Sequence, residues 1–357
     1  MEGSPVDIFI FAPLAPVAGV ILFWFIQLLF IESQKYLLQK IRSKHEALCR
    51  FTNLLGIIFQ TICHALGYTV TKSGISEFYI SVNYGRVAPK KEKKGIFEWI
   101  SNFFLFVGPF FVPAFLLLLC LFFLVNNVFE IVIPKHIIEI KYTFGGQLNI
   151  FGANLYNFSV KFFGFLASID LLHPGHLGFL LFMIFLGLGI RPTYIGEKKV
   201  DKIDMIYDLK NIGSLIRDNP LYVIIIFSFA YIIFYISLGF NQNWYIALFS
   251  IFGWLSIISI ASLFISHLIL FLIKTADEIP GFWRIFPYLT IPFSYVIMRT
   301  VFYFFPFDLM YATSLFVMVL STALVTFLLL RFKSDRFKTL RDMKLLKKKV
   351  QGDADEQ

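Results

Sequence analysis

The stretch QTICHALGYTVTKSGISEFYISVNYGRVAP (Gln60–Pro89) decides the fold, because its hydrophobic pattern changes part-way along. Its first part is an apolar run with one histidine, His64, and is typical of a helix. From Ile75 onward the pattern alternates, β-forming residues are frequent, and Asn83–Gly85 supplies turn residues. The sequence therefore predicts a helix followed by a short β-hairpin over 75–88.

The composition around this stretch is that of a membrane protein. Of the 357 residues, 58% are hydrophobic and 46 are phenylalanine. Three runs contain no Asp, Glu, Lys or Arg, namely Ile8–Ile31, Trp99–Phe129 and Leu221–Ile273. Each is longer than the roughly 20 residues that cross a bilayer. We predict an all-α polytopic membrane protein with about seven to nine transmembrane or re-entrant helices and a short β-hairpin after the second.

The positive charge follows the membrane pattern. The formal net charge is +9, and most of the 32 lysines and arginines lie in the segments 35–50, 72–94, 191–217 and 331–349. These segments flank hydrophobic runs, as the positive-inside rule requires. We therefore expect anionic lipid headgroups as partners and no nucleic acid. An integral multi-pass protein of the plasma membrane with a cytoplasmic C-terminal tail is predicted.

The chain divides into five predicted parts. They are a first transmembrane helix with a basic cytoplasmic amphipathic segment (1–50), a membrane core with the hairpin (51–190), a basic cytoplasmic loop (191–219), a C-terminal four-helix membrane unit (220–330) and a charged cytoplasmic tail (331–357). A break at GFNQNW separates the first two helices of the four-helix unit.

Three features of the core carry further predictions. Gly108, Pro109 and Pro113 should kink the hydrophobic run that contains them. Residues 130–150 favour strands turned by Gly145–Gly146 on the outer face. Residues 151–172 are apolar but interrupted by polar residues and glycine, which favours an interfacial or re-entrant segment over a span.

The histidine lies in a five-residue pattern, His64-Ala65-Leu66-Gly67-Tyr68. In the zinc-protease motif H-E-x-x-H, two histidines one helical turn apart bind one metal, and the glutamate between them activates its water. Here Ala65 occupies the glutamate position and Tyr68 the second histidine position. Ala65 cannot accept a proton, and a neutral phenol is a poor zinc ligand.

At this pattern the chain resembles the site-2-protease (M50) family of intramembrane metalloproteases. The resemblance rests on HALGY in an apolar helix, then the hairpin GISEFYISVNYGRV, then the Gly108–Pro109 pair, then DLLHPGHLGFLL before a later helix. It covers about residues 50–190. The resemblance implies the fold of that family, while the loss of the general base argues against its usual activity, since such a group contributes roughly 10²- to 10⁴-fold to rate.

A second ligand set stays open. Asp170, His173 and His176 follow one another at intervals of three residues, and with His64 they would supply three histidines and a carboxylate. That set is an acceptable zinc shell. Zinc is the one cofactor that the sequence suggests, and the plainer interpretation is interfacial histidines that cap a helix without binding metal.

The sequence thus predicts a catalytically inactive, protease-like membrane protein that binds transmembrane segments or a membrane complex. His64, Tyr68 and the 170–176 turn would line its cleft. The further candidates for contact with a partner are Tyr79, Asn83, Arg86, Gly108 and Pro109. Three alternatives remain, which are an active zinc protease with non-standard ligands, a transporter, and a purely structural subunit.

Overall fold

A computed structural model of the chain describes residues 4–124, 142–196, 198, 201–305 and 307–355. Within these ranges the chain is mostly helical. The helices are α1 (Leu14–Ile41), α2 (Glu46–Val70), α3 (Ile96–Phe106), α4 (Gly108–Leu124), α5 (Phe144–Ala167), α6 (Pro174–Gly189), α7 (Met205–Asp218), α8 (Pro220–Gly239), α9 (Trp244–Ala276), α10 (Phe286–Phe304) and α11 (Met310–Asp355). The strands pair as β1 (Ile75–Ile80) with β2 (Gly85–Pro89), and β3 (Tyr194–Ile195) with β4 (Asp201–Lys202).

Six of the described helices are long and apolar enough to cross a membrane, or seven if the bent pair α3–α4 counts as one span. The six are α1, α2, α8, α9, the 3₁₀ turn Gly281–Ile285 together with α10, and the first half of α11. Helix α6 is apolar but has only 16 residues. The predicted class, an all-α polytopic membrane protein, is confirmed.

The predicted hairpin is confirmed directly after α2. Strands β1 and β2 are antiparallel, with Phe78 opposite Val87 and Tyr79 opposite Arg86. The Ser81 backbone N–H donates to the Tyr84 carbonyl with an N···O distance of 2.9 Å. The turn therefore lies where the sequence predicted it.

The predicted kink in the third hydrophobic run is also present. Helices α3 and α4 meet at Val107 with a bend of 67°. The break precedes Gly108–Pro109, because proline at the start of a helix needs no backbone N–H. Pro113 lies inside α4 and does not divide it.

The region after α4 differs from the prediction where it is described. Most of the predicted strand region, 130–141, lies outside the described residues. Gly145 and Gly146 belong to the first turn of α5 and not to a turn between strands. Helix α5 continues through Gly164 to Ala167, because Phe151, Phe158 and Phe162 are buried along one side of it.

The helices form two compact units. The first comprises residues up to Phe165 and Leu171–Leu268, and the second comprises Leu166–Asp170 and the residues from Ile269 onward. The boundary falls inside α9, so the predicted four-helix unit 220–330 coincides with neither. A core cluster of the first unit contains Leu28, Ile31, Phe110, Ile190 and Leu263.

Helix α1 is longer than the first apolar run. It continues through the basic residues to Ile41, and α2 begins at Glu46. The predicted amphipathic segment 35–50 is therefore the corner between two helices. Lys35, Leu37 and Leu38 are buried in it, so tertiary packing holds this part of α1.

Candidate functional site around helix α2

Asn53 on α2 joins three parts of the first unit. Its side-chain amide donates to the Val82 carbonyl in the hairpin turn at 2.8 Å. Its side-chain oxygen accepts from the backbone N–H groups of Thr193 at 2.8 Å and Tyr194 at 2.9 Å. Because Asn53 is 5% exposed and all these bonds are made, it fixes both the hairpin and β3 against α2.

Glycines let neighbouring backbones approach α2 closely. A Cβ on Gly56 would lie 2.6 Å from the Arg191 carbonyl carbon, and one on Gly85 would lie 2.9 Å from Ile57 Cγ2. A Cβ on Gly67 would meet Ser101 at 3.0 Å. These distances leave no room for a larger residue, so the end of α6, the hairpin and α3 all pack directly on α2.

His64 lies on α2 beside Tyr68. The two rings contact with centroids 4.5 Å apart and planes at 34°. His64 is half-buried, and its Nε2 has no hydrogen-bond partner among the residues that the structure describes. The pair that occupies the two metal-ligand positions of the motif is therefore an aromatic contact along one turn of helix.

His173 and His176 lie at the start of α6. His173 is the N-cap residue, and its Nδ1 accepts from the His176 backbone N–H at 3.4 Å. The two imidazole rings contact with centroids 4.6 Å apart. The His173 side chain thus caps α6, and His176 takes part through its backbone N–H.

The length of α4 gives the distance between the histidine of α2 and the two histidines at the start of α6. Its first residue, Gly108, would place a Cβ 3.0 Å from Cys63, next to the α2 histidine. Its last residue, Leu124, lies 3.1 Å from the Cβ position of Gly175 at the start of α6. A helix of 17 residues spans roughly 24 Å at 1.5 Å per residue. The structure therefore does not bring His64 together with His173 and His176.

Asp170 contacts two side chains of the second unit. Its Oδ1 accepts from the Tyr295 hydroxyl at 2.9 Å, and its Oδ2 lies 3.4 Å from Arg299 Nη2. The sequence analysis assigned Asp170 to a metal site, whereas the structure pairs this carboxylate with a cation and a phenol.

Structural and catalytic zinc sites need three or four ligands around one point. In the described part of the chain, no group of three or more His, Cys, Asp or Glu side chains is placed to hold a metal ion. His64 lies apart from His173 and His176 along α4, and no reaction step through a metal is derived from the predicted set of His64, Asp170, His173 and His176.

The predicted partner-contact residues fall into two groups. Tyr79 and Arg86 lie opposite each other on the hairpin, Tyr79 is 47% exposed, and Asn83 lies in the turn between the strands. Gly108 and Pro109 are buried at the start of α4, where Gly108 packs against α2. The hairpin residues are accessible to a partner, and the glycine–proline pair serves the packing of α4.

Sequence reasoning missed the charged interior of the first unit. Arg191, after α6, forms a buried ion pair with Asp208 on α7, with Nε 3.4 Å from Oδ2. Lys35 on α1 is 3% exposed. A charged residue next to an apolar run was the available signal, but no spacing in the sequence connects Arg191 to Asp208.

Comparisons with known proteins identified no relative of this chain. No family model, no curated protein and no solved structure matches this chain. The contacts of the described residues therefore carry the functional argument.

Proposed function

We propose that the protein binds an extended segment of another membrane protein along the free edge of β1, without cutting it. The observation that carries this proposal is the exposure of β1. Phe78 is 50% exposed and Tyr79 47% exposed, and in the described chain β1 pairs only with β2. An apolar edge strand of this kind is a template for a further strand.

The charged residues of the hairpin do not prevent a further strand from pairing with the free edge of β1. Natural edge strands are often protected by charged side chains. Here Glu77 on β1 lies 3.2 Å from Arg86 on β2, so its charge is matched within the hairpin. The outer edge of β1 therefore offers backbone groups beside apolar side chains.

The hairpin is also held firmly enough to act as a docking platform. The Asn53 bond to the Val82 carbonyl and the close approach of Gly85 to α2 fix it on a candidate membrane span. A partner strand added to β1 would meet a preordered edge, which lowers the entropic cost of binding.

The proposal of binding without cleavage is supported at the motif. Ala65 offers no proton acceptor, and His64 contacts Tyr68 in place of a second histidine. We place the basic segments and the C-terminal tail on the cytoplasmic side of the plasma membrane by the positive-inside rule.

The test uses the alternation of an antiparallel ladder. Because the Ser81 N–H donates to the Tyr84 carbonyl, directly before β2, the N–H groups of Tyr79 and Ser81 point toward β2 and that of Phe78 points away from it. Phe78→Pro removes one outward donor and keeps the pairing with β2, and Phe78→Ala removes the ring alone. A photo-crosslinking amino acid at Tyr79 reports the partner, with one at the exposed Tyr156 on α5 as control.

We expect discrete adducts from Tyr79 in native membranes, retained in part by Phe78→Ala and lost in Phe78→Pro. Adducts of the same size from Tyr156 would show non-specific labelling. If Phe78→Pro forms the adducts as well as Phe78→Ala, strand addition is wrong. The complete absence of adducts would favour a purely structural subunit.

A further inference from the structure

We propose that α7 lies in the plane of the membrane interface, with one apolar face inserted at the boundary between headgroups and acyl chains. The inference does not depend on partner binding at β1. The inference starts from three large apolar side chains that are exposed on this helix of 14 residues. Ile206 is 71% exposed, Ile216 48% and Leu209 39%. Spacings of three and seven residues place them on one side of a helix.

The other side of α7 is turned toward the protein, where Asp208 and Leu215 are its buried side chains. Asp208 is 1% exposed and forms the ion pair with Arg191. The Met205 backbone N–H donates to Glu32 at 3.1 Å, and the Leu215 carbonyl accepts from the Trp99 indole at 3.0 Å. A helix on a water-exposed surface turns its large apolar side chains inward, whereas α7 buries Leu215 and leaves Ile206, Leu209 and Ile216 exposed.

The position of α7 in the chain identifies the occupant of this face as lipid. The helix ends at Asp218, and α8, a candidate span, begins at Pro220. Two peptide steps cover at most roughly 8 Å, so the end of α7 must lie close to the membrane boundary. An apolar helical face at that boundary enters the bilayer surface by about 5–10 Å.

The charges at the rim of the face agree with a headgroup environment. Lys210 is exposed, and at the end of the helix Arg217 lies 3.4 Å from Asp218. A lysine beside an inserted apolar face can reach lipid phosphates. The ion pair and the two backbone contacts hold the helix in the one rotation that presents the apolar face outward.

The experiment uses the full-length protein in vesicles, with a fluorescent amino acid at Leu209. Lipids brominated on the acyl chain quench from the bilayer, and iodide quenches from water. The same residue at Ile224, exposed on the candidate span α8, gives the lipid reference, and at Asp201 in β4 it gives the aqueous reference.

We expect the label at Leu209 to be quenched by brominated lipid as at Ile224 and to be protected from iodide. Quenching as at Asp201 would overturn the proposal, because the face would then lie in water. Protection from both quenchers would also overturn it, because protein, such as a second copy of the chain, would cover the face. A label at Ile206 repeats the readout if the Leu209 label disturbs folding.

Discussion

Two arginine–aspartate pairs, one in each compact unit, show how differently the chain handles charge. Arg191–Asp208 in the first unit is completely enclosed, with side-chain exposures of 0% and 1%. Arg299–Asp170 in the second unit keeps exposures of 16% and 18%. Each arginine also lies over an aromatic ring, Arg191 5.5 Å from the Phe110 centroid and Arg299 4.3 Å from that of Tyr311.

The difference in exposure indicates which of the two ion pairs the fold depends on more strongly. Removing two ions from water is expensive, and an enclosed pair persists only when each ion keeps its partner. The enclosed pair joins the end of α6 to α7 and so fixes the rotation of α7. The partly exposed pair can still be stabilised by solvent or headgroups, and its aspartate has a second partner in the Tyr295 hydroxyl. The two pairs should therefore differ in their contribution to stability.

The largest effect is expected from Arg191→Met, which leaves Asp208 buried without its cation. We expect a loss of about 3–5 kcal/mol in the free energy of unfolding. The measurement is denaturant unfolding of the purified protein in micelles. The double variant Arg191→Met/Asp208→Leu removes both charges and should recover most of the loss. Equal losses in the single and double variants would mean that packing, and not an unpaired charge, explains the effect.

The next largest effect is expected from Asn53→Ala. This change tests whether a buried neutral side chain with several hydrogen bonds stabilises the fold as much as a buried ion pair does. The change leaves the backbone N–H groups of Thr193 and Tyr194 without their acceptor. We expect a loss of about 2–3 kcal/mol, since buried unsatisfied groups cost about 1–3 kcal/mol each and can recover part of this by local opening. Amide hydrogen exchange at Thr193 and Tyr194 should accelerate. Unchanged exchange there would show that Asn53 does not hold β3.

The sequence was sufficient for the elements whose signal is local. The hairpin at 75–88 was predictable because alternation and turn residues act on neighbours. The break at Gly108–Pro109 was predictable because proline excludes an N–H that the helix needs. The break between α8 and α9 at GFNQNW was predictable because glycine and asparagine are typical of turns and loops.

The candidate site was less predictable, because it depends on contacts distant in the chain. Asp170 pairs with Arg299, 129 positions away, and nothing local distinguishes that role from metal binding. Helix α7 was equally hidden, because the basic residues of 191–219 predicted a loop and no local signal showed that Ile206, Leu209 and Ile216 would be exposed together.

Arg299→Met should have a smaller effect than Arg191→Met. Asp170 keeps the Tyr295 hydrogen bond, and both partners are partly exposed. We expect a loss of about 1–2 kcal/mol in the same unfolding measurement. The conservative variant Arg299→Lys keeps the charge and should retain part of the stability. A loss as large as that of Arg191→Met would break the contrast between the two pairs.

The smallest effect is expected at His64. In His64→Phe an aromatic ring can still contact Tyr68, and the substitution removes a buried Nε2 for which the described residues provide no partner. We expect the free energy of unfolding to stay within about 1 kcal/mol of the parent or to rise, because removing an unsatisfied buried polar atom relieves its desolvation penalty.

The metal content of the same preparations, measured by mass spectrometry, shows whether the His64→Phe substitution also removes a bound zinc ion. His173→Ala/His176→Ala is the matched control, because those rings cap α6 at the far end of α4 from His64. One equivalent of zinc in the parent that is lost in both variants would mean that His64 and the two histidines of α6 bind the same ion in another state of the protein. The proposal of an active metalloprotease would then be preferred to that of a binding protein. Zinc lost in only one variant would indicate a local site without a shared shell. A metal content equal to background in the parent and in both variants is the result expected from the separation of roughly 24 Å along α4.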